Sequence, residues 1–495
     1  MSSPEVLDLL MTDRLEEAAR ALEKESESDP ILKSLIERAS GREKPLASLT
    51  ADLPEYVVVN PSYTCNIGCK MCITGFHNKT EIDPNYKYLS PEQFEKAKSW
   101  VRTGTHVFFV GIGETLDSPY LFDFLEDVDG PVKVVTTSGV PLTREKIRKM
   151  IETGVQILNF SFDGKTSVGH GDGKDTYIKN IWSKIDLVTQ VKKEMHSESP
   201  VMGLNVTVNK ENLDDLDNLF TKARERDIRD ILLLPMSVVE DSGQISPMLY
   251  EKSFGPDFDR CSTEFKNLVD RWNKNGLRLQ VNAYPEYHEK ASVCSYVDNT
   301  IQIHGLSSGP NICCGKIEMP LTFWDTPPEE YWNSLPFRYF RYLHFVGERQ
   351  GLPRECQDCW ILETRRYYKT CGEALEADAP AIDPIPVYQE GSRFKRDGLW
   401  EQAETRLREV LALTDDDALK GGVYFHLTEI ELARGNDGEA LDRIQKCIQH
   451  NFDHKRGWAY LSLLMRITGL PKVEKRKDKF PLVYHPEIKP GGLLV

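Results

Sequence analysis

The sequence predicts an α/β protein built on a parallel sheet, followed by an irregular cysteine-bearing module and then an all-α region of helical hairpins. Three observations predict it: β-branched apolar runs alternate with helix-patterned stretches, the periodicity is lost after Pro285, and a repeat of 34 residues runs near the end.

Length and composition agree. A chain of 495 residues holds about three domains with ample material for a core. Its 40% hydrophobic and 28% charged residues exclude collagenous, disordered and disulfide-scaffold classes. Acidic residues outnumber basic ones, 77 to 62, and the formal charge of −15 has the wrong sign for a phosphate-backbone binder, so no nucleic-acid partner is expected. No run approaches the roughly 18 apolar residues of a membrane span. The start, Met1-Ser-Ser-Pro-Glu-Val-Leu-Asp, also lacks a basic stretch followed by an apolar one. No membrane partner and a cytoplasmic location are expected.

Residues 1–50 read as a helical segment. From Tyr56 to about Met236 six apolar runs follow: Tyr56–Asn60, His106–Val110, Val132–Val135, Gln156–Phe162, Leu204–Val208 and Ile231–Leu234. Continuous apolar strands between helices imply a parallel sheet buried on both faces, either doubly wound or a partial barrel, with functional groups at the carboxyl ends of the strands. This unit is taken as 51–285. The stretch 286–375, irregular and rich in Cys, Gly and aromatic residues, reads as a module that needs a metal to hold it. Residues 376–386, rich in Ala, Asp and Pro, read as a linker.

In 387–495 Tyr424 and Leu427 recur as Trp458 and Leu461 after 34 residues, and Ala403 and Leu407 recur as Ala440 and Ile444 after 37. With Gly391 and Phe394 at their offsets, this resembles the tetratricopeptide repeat, about two and a half copies of it. Ala18, Leu22 and Pro30 have the spacing of one more half-repeat. Such repeats either stabilise or dimerise the chain, giving a homodimer, or hold a partner peptide on a concave face.

Eleven cysteines in a chain expected to stay reduced point to metal rather than disulfides. They fall into Cys65, Cys69 and Cys72, then Cys294, Cys313, Cys314, Cys356 and Cys359, with Cys261, Cys371 and Cys447 apart. Cys65-Asn-Ile-Gly-Cys69-Lys-Met-Cys72 directly follows the first strand. A structural zinc site wants a fourth ligand nearby, for which His77 is the nearest candidate. Three thiolates on one loop instead suit a four-iron four-sulfur cluster with one open iron.

This spacing resembles the radical S-adenosylmethionine (radical SAM) superfamily over roughly Tyr56 to Met236. Accessory elements recur in order. Gly111-Ile112-Gly113-Glu114 after the second strand is similar to the Gly-Gly-Glu element that meets the methionine amine, with Ile112 where the first Gly would stand. Met71 occupies the adenine-side position, and Ser161-Phe-Asp163-Gly164 is similar to a Ser-x-Asp-Gly element. Thr207 and Asn209, and Leu234-Pro235, match further cofactor-side positions. The resemblance implies a partial (β/α)6 barrel. It implies S-adenosyl-L-methionine held on the open iron and cleaved reductively to a 5′-deoxyadenosyl radical that takes a hydrogen atom from substrate. A reductant such as flavodoxin or ferredoxin is expected as partner.

The second cysteine set, a lone Cys, a Cys-Cys pair, an aromatic helix and Cys-x-x-Cys, resembles the SPASM or twitch module of radical enzymes, which implies one auxiliary four-iron cluster. Its ligands are then Cys294, Cys313 or Cys314, Cys356 and Cys359. From composition alone the set fits zinc equally. Cys447 suits core packing in a repeat helix. Cys371 is either an inert buried thiol or a hydrogen-atom donor to a carbon radical. His170, Lys210 and Arg278, charged or titratable groups near the strands, read as solvated surface.

The resulting expectation is a radical enzyme acting on an unactivated C–H of a peptide or protein, by oxidation, cross-linking or epimerisation. The alternatives are a carbohydrate or aminocyclitol dehydrogenase or epimerase, and a zinc-stabilised repeat scaffold without catalysis.

Overall fold

The computed structural model describes residues 3–25, 29–65, 87–162, 174–238, 245–281, 294–304, 313, 319–321, 326–347, 349–357, 359–360, 363–376, 383–471 and 473. Three helices come first, α1 (Pro4–Met11), α2 (Leu15–Glu23) and α3 (Pro30–Ala39). Proline opens α1 and α3, where its missing N–H costs nothing, and Asp29 caps α3 by accepting from the amides of Ile31 and Leu32.

Eight parallel strands follow: β1 (Tyr56–Asn60), β2 (His106–Phe109), β3 (Val132–Thr137), β4 (Ile157–Ser161), β5 (Val201–Val208), β6 (Asp230–Pro235), β7 (Arg278–Val281) and β8 (Thr300–His304). They form one sheet in the order β7-β6-β5-β4-β3-β2-β1-β8. The connections carry α4 (Pro91–Val101), α5 (Leu121–Glu126), α6 (Arg144–Glu152), α7 (Lys174–Glu194), α8 (Leu216–Glu225), α9 (Pro247–Lys252) and α10 (Phe258–Lys274). A capping box between Ser90 and Gln93 starts α4, and the Thr143 hydroxyl starts α6.

The six apolar runs each form a strand. Two further strands escape the apolar criterion because they are edges that alternate. β7 reads Arg-Leu-Gln-Val and β8 reads Thr-Ile-Gln-Ile-His, with every second residue polar. β8 lies within 286–375 and pairs in register with β1, Asn60 opposite His304.

Alternation gives the sheet two faces. Val57, Val59, Val107, Phe109, Leu158, Phe160, Leu204 and Val206 join the main core with the helices. On the other, inner face Val58, Phe108, Val134 and Ile157 make a smaller cluster drawn from strand residues.

Within 286–375 the described residues are more helical than the irregular pattern suggests. They form α11 (Pro328–Trp332), α12 (Leu335–Val346), α13 (Arg354–Gln357) and α14 (Thr364–Glu376). The helix α12 shows no polar stripe because it is buried on all sides, Arg338 and Arg341 included. Arg341 donates to the carbonyls of Leu49, Val297 and Trp332, so its planar guanidinium binds three separate segments.

The last region is five helices, α15 (Ile385–Arg396), α16 (Trp400–Leu413), α17 (Asp417–Ala433), α18 (Asp437–His450) and α19 (Lys455–Thr468), each packed on the next. Small residues sit at the close crossings. A Cβ on Gly391 would come 3.0 Å from Leu407, and one on Gly421 would come 2.5 Å from the Asn451 side chain. The helices α1 and α3 pack against α19, so the chain's first and last described helices form one layer.

Candidate active site at the carboxyl edge of the sheet

Because every strand is parallel, all carboxyl ends meet at one rim. There the turn after β1 (Ser62, Tyr63, Thr64, Cys65) and the turn after β2 (Gly111 to Glu114) are stitched together through backbone. The Gly113 amide donates to the Ser62 carbonyl at 2.8 Å and the Glu114 amide to the Thr64 carbonyl at 2.8 Å. The Ile112 amide donates to Asn60 Oδ1 at 3.0 Å.

Contacts this short need glycine. A Cβ on Gly113 would lie 2.3 Å from the Thr64 carbonyl oxygen, and one on Gly111 would lie 2.7 Å from the Gly113 oxygen. Both obstacles are backbone, which cannot step aside. Ile112 sits exposed between them at 42%, so its replacement of a glycine costs the turn nothing.

Glu114 is buried, and its carboxylate is engaged on both oxygens. Oε1 accepts from the Leu116 amide at 3.0 Å and the Thr137 hydroxyl at 2.5 Å, and Oε2 accepts from the Ser138 amide at 2.8 Å and its hydroxyl at 2.5 Å. Four neutral donors thus hold the anion in place and fasten the β2 turn to the end of β3. Thr137 and Ser138 were missed by sequence reasoning. The available signal was a Thr-Thr-Ser-Gly run closing an otherwise apolar strand.

Around the same rim Ser161 is exposed at the end of β4. Thr207 accepts from Asn212 Nδ2 at 2.7 Å through its carbonyl. Buried Asn209 accepts the amides of Glu211 and Asn212 on Oδ1, while its Nδ2 makes no hydrogen bond among the described residues. Cys69, Met71, Cys72, His77, Asp163, Gly164, His170 and Cys314 lie outside the described residues. Cys65 is half-buried at the tip of the β1 turn. A shallow, partly open depression lies instead toward the amino ends of β4 to β7, lined by Ile157, Val201, Asp230 and Gln280, the opposite rim from Cys65.

The second thiol set is drawn together. Burial pushes the Cys356 thiol well above its ordinary pKa, and then Cys313, Cys359 and Cys294 push it further. Burial also raises Cys294, with Cys359 and Cys313 adding to it and a hydrogen bond from the Tyr296 amide opposing it. Four thiols that feel one another's charge share one pocket. Among the described residues no three His, Cys, Asp or Glu side chains converge as a metal cage, so what fits is the donor chemistry: four sulfurs, Cys356 buried and Cys294, Cys313 and Cys359 half-buried, whose thiolates a metal would stabilise.

Cys371 is buried on α14 among Tyr250, Tyr367 and Tyr368. The Tyr367 hydroxyl accepts from the Val238 amide at 2.9 Å, and the Tyr368 hydroxyl donates to the Met236 carbonyl at 2.8 Å, so this aromatic shell abuts the end of β6. Cys261 and Cys447 are fully buried in α10 and α18. Lys210 pairs with Glu251 and Arg278 with Asp230 at the surface.

The rim thus joins a cysteine turn after the first strand to a Gly-x-Gly-Glu turn after the second. Residues 59–223 match the family model of the Radical SAM superfamily.

The chain is 21% identical over 375 residues to the tungsten-containing aldehyde ferredoxin oxidoreductase cofactor-modifying protein of Pyrococcus furiosus, covering 68% of this chain and 99% of that protein. It is 25% identical over 350 residues to the AdoMet-dependent heme synthase of Methanosarcina barkeri, covering 66% and 95%. Among solved structures, Streptococcus suis SuiB bound to S-adenosylmethionine aligns at 15% identity and a TM-score of 0.45, covering 72% of this chain and 82% of that one. No helix among the described residues is long and apolar enough to cross a membrane.

Proposed function

We propose that the chain is a radical SAM enzyme that abstracts hydrogen from an unactivated C–H of a peptide or protein substrate, leading to oxidation, a cross-link or epimerisation. The observation that carries the reading is the backbone lock between the Cys65 turn and the Gly111 to Glu114 turn, which fixes the start of the cysteine segment beside a buried carboxylate. In this reading Cys65, Cys69 and Cys72 hold a four-iron cluster, and Met71, Gly113, Glu114, Ser161, Asp163, Thr207 and Asn209 line the S-adenosylmethionine site. When bound, the pair supplies a 5′-deoxyadenosyl radical, formed with one electron from a ferredoxin or flavodoxin.

The chain's own groups supply aim. Thr137 and Ser138 hold the Glu114 carboxylate in place, and the Asn209 Nδ2 is a donor for the cofactor. Cys294, Cys313, Cys356 and Cys359 hold an auxiliary cluster, with Cys314 the alternative to Cys313. A fully ligated cluster leaves no site for substrate and suits electron transfer. Cys371, inside its tyrosine shell, is the candidate hydrogen donor. The five C-terminal helices, read as tetratricopeptide-like, supply a face for a peptide.

The two relatives, a cofactor-modifying protein and a heme synthase, favour a second reading, in which the substrate is a cofactor rather than a peptide. Anaerobic reconstitution, followed by a deoxyadenosine assay with dithionite and S-adenosylmethionine, tests the shared chemistry. Deoxyadenosine from wild type but not from the Cys65→Ala/Cys69→Ala/Cys72→Ala protein supports the reading, and its absence from both refutes it.

A further inference from the structure

The inner face of the sheet at β1 and β8 carries a line of hydrogen bonds centred on a histidine. His304 ends β8 and lies opposite Asn60 of β1. Its Nδ1 is 3.4 Å from Asn60 Nδ2 and its Nε2 is 2.9 Å from Gln302 Oε1, while Gln302 Nε2 donates to the Tyr296 hydroxyl at 2.8 Å. On the other side Asn60 Oδ1 accepts from the Ile112 amide, inside the Gly111 to Glu114 turn.

The direction of each bond is set by its neighbour. The Asn60 oxygen is taken by the Ile112 N–H, which leaves the Asn60 amide hydrogens for His304; Nδ1 therefore accepts and Nε2–H donates to Gln302. That pattern requires a neutral ring, and burial pushes the His304 pKa down to about 4.

We propose that His304 is a positioning residue: by orienting Asn60 it holds the Gly111 to Glu114 turn in the shape that receives S-adenosylmethionine. This rests on the radical SAM reading. If Asn60 turns over, its NH2 group faces the Ile112 N–H, two donors meet, and the turn shifts. His304 prevents this by presenting an acceptor to Asn60.

The test uses the reconstituted full-length protein and measures the S-adenosylmethionine dissociation constant by equilibrium binding, together with the deoxyadenosine rate and the thermal midpoint. His304→Phe and Asn60→Ala are each expected to weaken binding about tenfold, the worth of one buried hydrogen bond. The double variant is expected to lose no more than either single one, since both cut the same line. His304→Asn, which offers an acceptor near the Nδ1 position, recovers most of the affinity. Should His304→Phe fail to fold, Asn60→Ala against wild type still reads the effect.

Binding within about twofold of wild type while the thermal midpoint falls, or losses that add in the double variant, overturns the proposal in favour of packing alone. A wild type that neither binds S-adenosylmethionine nor makes deoxyadenosine overturns the radical reading itself, and this inference with it.

Discussion

Gly113 has its Cβ position filled by the backbone of Thr64, so the identity of this residue is set by a neighbour on another strand turn and not by its own φ. Gly113→Ala is expected to part the β1 and β2 turns and lower deoxyadenosine formation about a hundredfold, the scale of an ångström misplacement of reacting groups. The protein should stay folded, and a deoxyadenosine rate near wild type would show that the turns are not locked as described. Thr137→Val tests the Glu114 clasp more gently. It leaves one bonding site on Oε1 open and is expected to cost about 1–3 kcal/mol of stability, read from denaturant unfolding. These residues differ in how far the sequence betrays them. The Gly-x-Gly-Glu run is a visible motif, whereas Thr137, Ser138, Asn60 and His304 matter only through partners brought together by strand pairing, which a single sequence does not display.

At the scale of elements, the apolar runs made β1 to β6 legible because strands buried on both faces are written as continuous hydrophobic stretches. β8 was not legible, since its inner-face residues Gln302 and His304 satisfy each other and so break the apolar run. The helix α12 was hidden for the opposite reason, total burial. Among the C-terminal helices, α19 is capped by His454, whose Nδ1 accepts the Gly457 amide at 2.9 Å. Burial lowers the His454 pKa to about 4, below the ordinary 6.5, with His426, Glu429 and Arg456 facing it.

The folded state therefore refuses a proton that the unfolded state accepts. The contribution is full above pH 6.5 and is lost as pH falls toward about 4, up to about 3 kcal/mol in all. His454→Asn, a good N-cap that does not titrate, is expected to flatten this acid limb of the stability curve. An unchanged slope between pH 6.5 and 4 would remove His454 from the account.

Across the whole molecule, Asp13 is the junction. Its buried carboxylate meets Arg338 of α12 and Arg466 of α19, the latter at 2.9 Å, and Lys44 at 3.3 Å. One side chain in the turn after α1 thus joins the N-terminal helices, the buried helix α12 and the C-terminal helices. Asp13→Ala strands two buried guanidinium groups and is expected to cost about 3–5 kcal/mol. The loss should show as separate unfolding of the helical region, seen by calorimetry, and a single transition of unchanged midpoint would argue that these parts are held by packing alone. The change from sheet to helical hairpins was readable from periodicity, but this closure of the first helices onto the last was not, since charged pairs hundreds of residues apart leave no local pattern.

The central claim is that the rim holds one S-adenosylmethionine-binding cluster and the module a second. Iron and acid-labile sulfide counted after anaerobic reconstitution test it most directly, with wild type compared to the Cys65→Ala/Cys69→Ala/Cys72→Ala protein. About eight irons per chain, falling to about four in the variant with loss of deoxyadenosine formation, is the predicted result. Zinc in place of iron, or an iron content that the three substitutions leave unchanged, would contradict it.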